Sequence, residues 1–347
     1  MKPGPINRRR ILLGGAILTT TAALAACTGN DTPSSAQTKG GDAVPNSSPG
    51  KAVTIGFSAP AADHGWIAAI TGNARAQAAT FSDVTLKTVE AGADAAAQRA
   101  ALATLVSQKP DVIVVLPHDG KELNSFGLEA MKADIPVVNL DRAFPDALAY
   151  RLQIKGDNYG MGAAAGHYIG TRLTAAGTAS PIIGEIAGID SLELTQERSR
   201  GFKEALAVYG FSVANRRAAE FTADSGQREA TNLLNALPTM DALWNHDDDQ
   251  GIGVLAAISQ ASRGEFFMVG GAGSTAAIQT IQADNSVLKA SVTYSPSMAS
   301  SAIALARLIA QGRGMSDLVE LAVPKEIVLA SETITKDNAA GYLPLGF

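Results

Sequence analysis

One cysteine, Cys27, stands in 347 residues, so the chain can build neither an internal disulfide nor a cysteine-based metal cluster. Histidine is almost as scarce, with four copies at positions 64, 118, 167 and 246. None of them forms a His-Glu-x-x-His pair, and no Gly-x-Ser-x-Gly elbow occurs, so zinc-hydrolase and α/β-hydrolase chemistry have no motif to rest on. An excess of positive charge is missing too: 28 Lys and Arg stand against 33 Asp and Glu, which removes the clustered basic surface that nucleic acid needs. The uncharged run 11–26 has 16 residues, short of the roughly 20 that span a bilayer.

What is present begins with that run. Lys2 and Arg8 to Arg10 form a basic region ahead of it, and Leu24-Ala25-Ala26-Cys27 closes it. This is the layout of an export signal, residues 1–26, and the closing tetrad resembles a bacterial lipobox whose cysteine becomes the lipidated first residue. The paired arginines fit a twin-arginine signal, and a basic region for the general secretory route looks the same. Residues 27–51 are rich in Ser, Thr, Pro, Gly and Asn and read as a flexible tether. The expected location is therefore the outer face of the cytoplasmic membrane, held through lipid on Cys27.

With 46% hydrophobic and 18% charged residues, the remainder has material for two domains. Short, continuous apolar runs at 53–57, 84–89, 112–116 and 135–140 alternate with Ala-rich helical stretches, and the pattern repeats after 151 with strands at 182–186, 242–244, 265–269 and 288–293. Uninterrupted apolar strands separated by helices of ten to fifteen residues indicate parallel sheets covered on both faces. The predicted fold class is α/β: two doubly wound lobes with a cleft between them, where small ligands go.

Candidate site residues sit at strand ends. Ile135 to Leu140 runs directly into Asp141 and Arg142, a charge pair that is either a surface turn or the lip of a crevice at the carboxyl end of a parallel strand. Ser58 to Trp66 follows the first strand. There Asp63 reads as a helix N-cap, and Trp66 can stack on an apolar ring face while its indole N–H donates. Trp244 to Gln250 holds His246 beside Asp247, Asp248 and Asp249, of which one caps a helix; consecutive residues point in different directions, which argues against a metal set. Gly271-x-Gly273-x-x-Ala276 is a weak variant of a dinucleotide fingerprint, without the acid at the next strand end that the motif needs. No cofactor is expected.

Taken together, the lipobox, the tether, Ile55-Gly56-Phe57-Ser58, Asp141-Arg142, Asp157-Asn158, Glu197-Arg198-x-x-Gly201-Phe202 and Asp247-Asp248 resemble the ribose-type periplasmic sugar-binding proteins, substrate receptors of bacterial ABC importers. The resemblance covers nearly everything from Val53 onward. It implies a type I periplasmic binding protein with a three-crossing hinge near Gly156, Ser295 and Pro324: lobe I of 52–156 plus 295–324, lobe II of 157–294 plus 325–347. It implies a monosaccharide or sugar alcohol as ligand, with Asp141 and Arg142 on its hydroxyls and Trp66 stacking, with Ser58, Asp63 and His64 nearby. Gln196, Phe221 and Asp247 would contribute from lobe II. Two positions depart from the family: Ala272 stands where a hydroxyl-binding aspartate is usual, and Tyr294 where a glutamine is. The expected partners are an ABC permease and its ATPase, with no nucleic acid and a monomeric state. A membrane sensor as the output, or an exported enzyme pairing Asp141 with Asp247, are the alternatives.

Overall fold

The computed structural model describes residues 45–92, 94–315 and 322–347. The export signal, the lipobox and Cys27 lie outside the described residues. In chain order the first lobe runs β1 (Val53–Ala59), α1 (Gly65–Ala79), β2 (Val84–Glu90), α2 (Ala95–Ser107), β3 (Val112–Val115), α3 (Gly120–Lys132), β4 (Val137–Leu140) and β5 (Leu152–Gly156). The second runs α4 (Asn158–Ala175), β6 (Ile183–Ala187), α5 (Glu193–Ala207), β7 (Val213–Ala218), α6 (Ala223–Ala236), β8 (Ala242–Asn245), α7 (Asp248–Gln260), β9 (Phe267–Ala272), α8 (Thr275–Ala283) and β10 (Leu288–Thr293). Then come α9 (Met298–Gln311), β11 (Glu326–Leu329), β12 (Thr333–Thr335) and α10 (Ala339–Tyr342).

Two six-stranded sheets result, ordered β11-β5-β4-β3-β1-β2 and β12-β10-β9-β8-β6-β7. Every described pairing is parallel except β10 with β12. The fully buried runs Val112–Val115 and Val137–Leu140 show why the sequence reads as parallel: such strands have no solvent face to make polar. In each sheet the order reverses beside the first strand of its lobe, β1 or β6, and a crevice opens beyond the strand ends at such a switch point. The loops after β1, β4 and β8 therefore converge.

The hinge has three crossings, and one differs from the sequence expectation. The first lies between β5 and α4 and the second between β10 and α9, near Gly156 and Ser295. The resemblance puts the third near Pro324, yet Glu326 to Leu329 pairs in register with Gln153 to Gly156, so 325–329 belong with the first sheet and the chain crosses between Leu329 and Thr333. Val328 is half exposed on this edge strand, and an edge without a buried face carries little pattern to read. Strands β7, β11 and β12 and helix α8 were not anticipated.

One contact in lobe II matters for the site. A Cβ on Gly162 of α4 would come within 1.9 Å of the Arg198 carbonyl oxygen on α5, so only glycine lets the two helices approach this closely. This close packing holds Arg198 against the start of α4.

Candidate functional site

Lobe I brings four side chains to the cleft. Helix α1 has no side-chain cap of its own; Asp63, expected in that role, is turned to solvent and takes Nδ1 of His64 at 2.5 Å. Nε2 is then the His64 nitrogen left for the cavity. Burial pulls the His64 pKa down, but Asp63 at its ring, then Asp247 and Asp249 across the cleft, more than offset this and raise it. The indole N–H of Trp66 donates to the Tyr294 carbonyl oxygen at 2.9 Å, so its partner is the hinge backbone and not a ligand.

Asp141 and Arg142 follow β4 directly, and both are buried. The Asp141 amide donates to the Ile154 carbonyl at 2.8 Å, its φ is 58°, and its carboxylate accepts the hydroxyl of Tyr294. Arg142 donates through Nη1 to the His118 carbonyl at 2.6 Å, which anchors one end of the fork. Its buried Nε has no partner among the described residues. A buried guanidinium N–H without an acceptor is costly unless something else supplies one.

From lobe II, Arg198 donates Nε to Asn158 Oδ1 at 2.9 Å and Nη1 to the His246 carbonyl at 3.3 Å. Its guanidinium lies 4.4 Å from the centre of the Tyr294 ring and 5.9 Å from that of Phe221. The three consecutive acids go three ways. Asp247 caps α7 through Oδ1, accepting from the Asp249 and Gln250 amides at 2.9 and 3.1 Å, and lines the cavity. Burial pushes its pKa up to about 6. Asp248 accepts from the amides of Gly271, Gly273 and Ser274 at 2.8 to 2.9 Å and from the Ser291 hydroxyl. The glycine loop therefore spends these amides on Asp248, leaving no phosphate cradle. Asp249 reaches across the cleft to the Trp66 amide at 2.9 Å. His246 points away, into lobe II, where Nε2 meets Glu185 Oε1 at 3.1 Å.

These groups surround a narrow cavity of about 20 Å³, far below the roughly 300 to 1,000 Å³ typical of ligand sites. Seven residues singled out in the sequence line it: His64, Trp66, Asp141, Arg142, Phe221, Asp247 and Tyr294. Leu194, Arg198 and Ala272 complete the wall. Asp141, Phe221 and Ala272 are three of the seven non-glycine residues with positive φ among the described residues. Such backbone is unfavourable for these side chains, and it concentrates where function over-determines it. A second hollow of about 40 Å³ shares Asp141, Arg142 and Leu194 and opens toward Lys155, Glu193 and Glu197.

Three expected residues do not line the cavity. Ser58 is buried and takes a 3.2 Å hydrogen bond from Gln98. Asp63 orients His64 from outside. Gln196 is on the exposed face of α5, donating to the Asp190 carbonyl at 3.2 Å. Arg198, two residues on, belongs to the Glu197-Arg198-x-x-Gly201-Phe202 motif, and its helical spacing from Leu194 is the signal that marks it: residues four apart share a face.

Residues 55–314 match the family model described as periplasmic binding protein domain. Ribose import binding protein RbsB of Salmonella typhimurium is 30% identical over 161 residues, 46% of this chain and 52% of that protein, so the chain spans about half the length of this curated relative. A Mycobacterium smegmatis structure in complex with beta-D-fucofuranose superposes with a TM-score of 0.76 at 24% identity, covering 84% of this chain and 94% of that one. A galactofuranose-binding protein gives 0.76 at 23% identity over 85% and 100%.

Proposed function

Because the chain belongs to the periplasmic binding protein domain family and is similar to its ribose-type sugar-binding members, we propose that it captures a monosaccharide or sugar alcohol between its lobes and delivers it to an ABC permease and ATPase. The observation that carries this reading is the convergence on one small cavity of Asp141 and Arg142 from lobe I with Arg198 and Asp247 from lobe II. A carboxylate accepts from hydroxyls and a guanidinium donates to them, and both kinds of bond are charge-assisted. Trp66, Phe221 and Leu194 supply the apolar wall that a sugar's C–H face needs.

The groups suit holding and not reacting. One oxygen of Asp141 is engaged by Tyr294 and one of Asp247 by the first turn of α7. Each carboxylate is thereby fixed with its second oxygen left for a ligand hydroxyl. Export with residues 1–26 as signal, lipid on Cys27, a tether over 27–51 and monomeric action at the outer face of the cytoplasmic membrane complete the proposal. The lobes would turn about the three hinge crossings, closing over the ligand.

A thermal-shift screen of pentoses, hexoses, tetritols and inositols identifies the ligand, since one that binds only the folded state raises the melting temperature. Calorimetry of Asp141→Ala against that ligand then tests the site. Removing a charged acceptor that holds a ligand hydroxyl costs about 1.5 to 3 kcal/mol, a weakening of roughly 10- to 150-fold. Unchanged affinity would mean the site is misassigned, and a ligand recovered chemically altered would mean the protein is an enzyme.

A further inference from the structure

Resting on the receptor reading above, we infer that Asn158 is a positioning residue: from outside the narrow cavity it joins Arg198 of lobe II to Asp141 of lobe I through Tyr294, and it sets the direction of every hydrogen bond between them. Asn158 is the first residue of α4, directly after the first hinge crossing. It is buried, and it lines the second hollow but not the cavity where the ligand groups meet. Its side chain accepts from Arg198 Nε at 2.9 Å and donates to the Tyr294 hydroxyl oxygen at 3.3 Å and to the Gly156 carbonyl at 3.4 Å. The Tyr294 hydroxyl donates in turn to Asp141. All four side chains are buried.

The two ends dictate the middle. A guanidinium only donates, so the atom that meets Arg198 is the amide oxygen of Asn158. The amide nitrogen then faces Tyr294, and because it only donates, the Tyr294 oxygen accepts from it. A hydroxyl has one proton, and here it goes to Asp141. The chain therefore runs one way, from a guanidinium in lobe II to a carboxylate in lobe I, and bonds in such a chain polarise one another. Two effects reach the ligand groups. Arg198 has Nε on Asn158 and Nη1 on the His246 carbonyl at 3.3 Å, with its guanidinium 4.4 Å from the centre of the Tyr294 ring. Its Nη2 makes no hydrogen bond among the described residues and is the nitrogen left for a ligand hydroxyl. Asp141 has one oxygen committed to Tyr294, whose proton is directed there by the donor behind it. Gly156 stands against the Tyr294 ring, where a Cβ would fall 2.1 Å from Cε2, so the first crossing packs directly on the second and keeps Tyr294 within reach of Asn158.

The test is calorimetry with ribose, arabinose, galactose, fucose, xylitol and myo-inositol, using whichever of these probes the wild type binds most tightly. Asn158→Leu removes both arms and is expected to weaken binding about tenfold or more, the equivalent of a hydrogen bond to a charged group. Asn158→Asp keeps an acceptor for Arg198 but sets a second acceptor against Tyr294, so two carboxylates compete for one proton and binding weakens at least about threefold. In a Tyr294→Phe background there is no such proton. Asn158→Asp then changes the dissociation constant by less than about twofold, because its effect on the ligand groups passes through the missing hydroxyl. Asn158→Leu still weakens binding there, through Arg198. An equal loss for Asn158→Asp in both backgrounds would show that Asn158 touches the ligand directly. Lower melting temperatures with unchanged dissociation constants would show a purely structural role. Either result overturns the inference and leaves the receptor reading standing. If Asn158→Leu fails to fold, Asn158→Asp in its two backgrounds decides alone. If a folded wild type binds none of the probes, the receptor reading fails and this inference fails with it.

Discussion

Replacing Asp249 with alanine should weaken ligand binding although Asp249 is not on the cavity wall. Helix α1 begins at Gly65 with no side chain of its own capping it and no acid in its first turn. Its N-terminal dipole and the Trp66 amide are instead satisfied from the other lobe, by Asp249 Oδ2 at 2.9 Å. The approach is close enough that a Cβ on Gly65 would lie 2.8 Å from the carboxylate. Loss of an N-cap costs about 0.5 to 2 kcal/mol, and an anion at a helix N-terminus contributes about 0.3 to 1 kcal/mol. Because this cap exists only while the lobes are together, its loss falls on the closed state alone. About 1 to 2 kcal/mol then appears as a rise in Kd of roughly 5- to 30-fold. Calorimetry gives that number, stopped-flow dissociation shows it in the off-rate, and small-angle scattering follows closure directly. Asp249→Asn keeps an acceptor and should fall between the wild type and the alanine variant. Wild-type affinity together with a wild-type off-rate in Asp249→Ala would refute the reasoning.

Two further outcomes test other parts of the molecule. Asp247 is raised by burial to about 6, above the ordinary value near 4, so its contribution to stability is complete below about pH 4 and lost as pH rises through about 6. His64, also raised, acts in the same sense. Asp247→Asn retains the cap on α7 but not the titration, so its melting temperature should rise relative to the wild type between pH 4 and 7, by the equivalent of at most roughly 3 kcal/mol; a difference that stays flat with pH contradicts this. Arg307, fully buried in α9, bonds both oxygens of Asp83 at 2.6 to 2.7 Å and the carbonyls of Asn46 and Ser48. Arg307→Ala should cost about 3 to 5 kcal/mol in urea unfolding, because it strands a buried carboxylate, and should expose residues 45–50 to protease. A loss below about 1 kcal/mol would show that the pair contributes little.

The sheets were legible wherever strands are buried on both faces, as in β3 and β4, since burial leaves only apolar residues to read. Strand β7, Val-Ala-Asn-Arg-Arg-Ala, escaped because it is an edge strand with no fully buried residue, and Thr333–Thr335 because three residues carry no period. At the site, Asp141 and Arg142 stood out because an apolar strand ran directly into unlike charges. Gln196 and Arg198 show what spacing can do when the helix is located correctly. Two residues along a helix is about 200° of rotation, so if one faces solvent the other faces the core. The interlobe roles of Asp249 and Tyr294 had no local signal, since Trp66 lies 183 positions from the first and 228 from the second.

On the proposed reading, the acidic run after β8 would make binding and closure one event. Asp247 and Asp249 both sit at the start of α7, one capping it and one in its first turn, and so move as a unit. On the proposed reading, a ligand hydroxyl on Asp247 would fix the position of Asp249 against the amide end of α1. Asp248 between them ties the loop that carries Ala272 to the same point. Asp141 and Tyr294 do the equivalent on the hinge side, where a lobe I carboxylate holds the hydroxyl of a residue in the crossing itself. Ligand contacts at these two places would form together only with the lobes closed, so on the proposed reading the groups that recognise the ligand would also report its presence to the hinge.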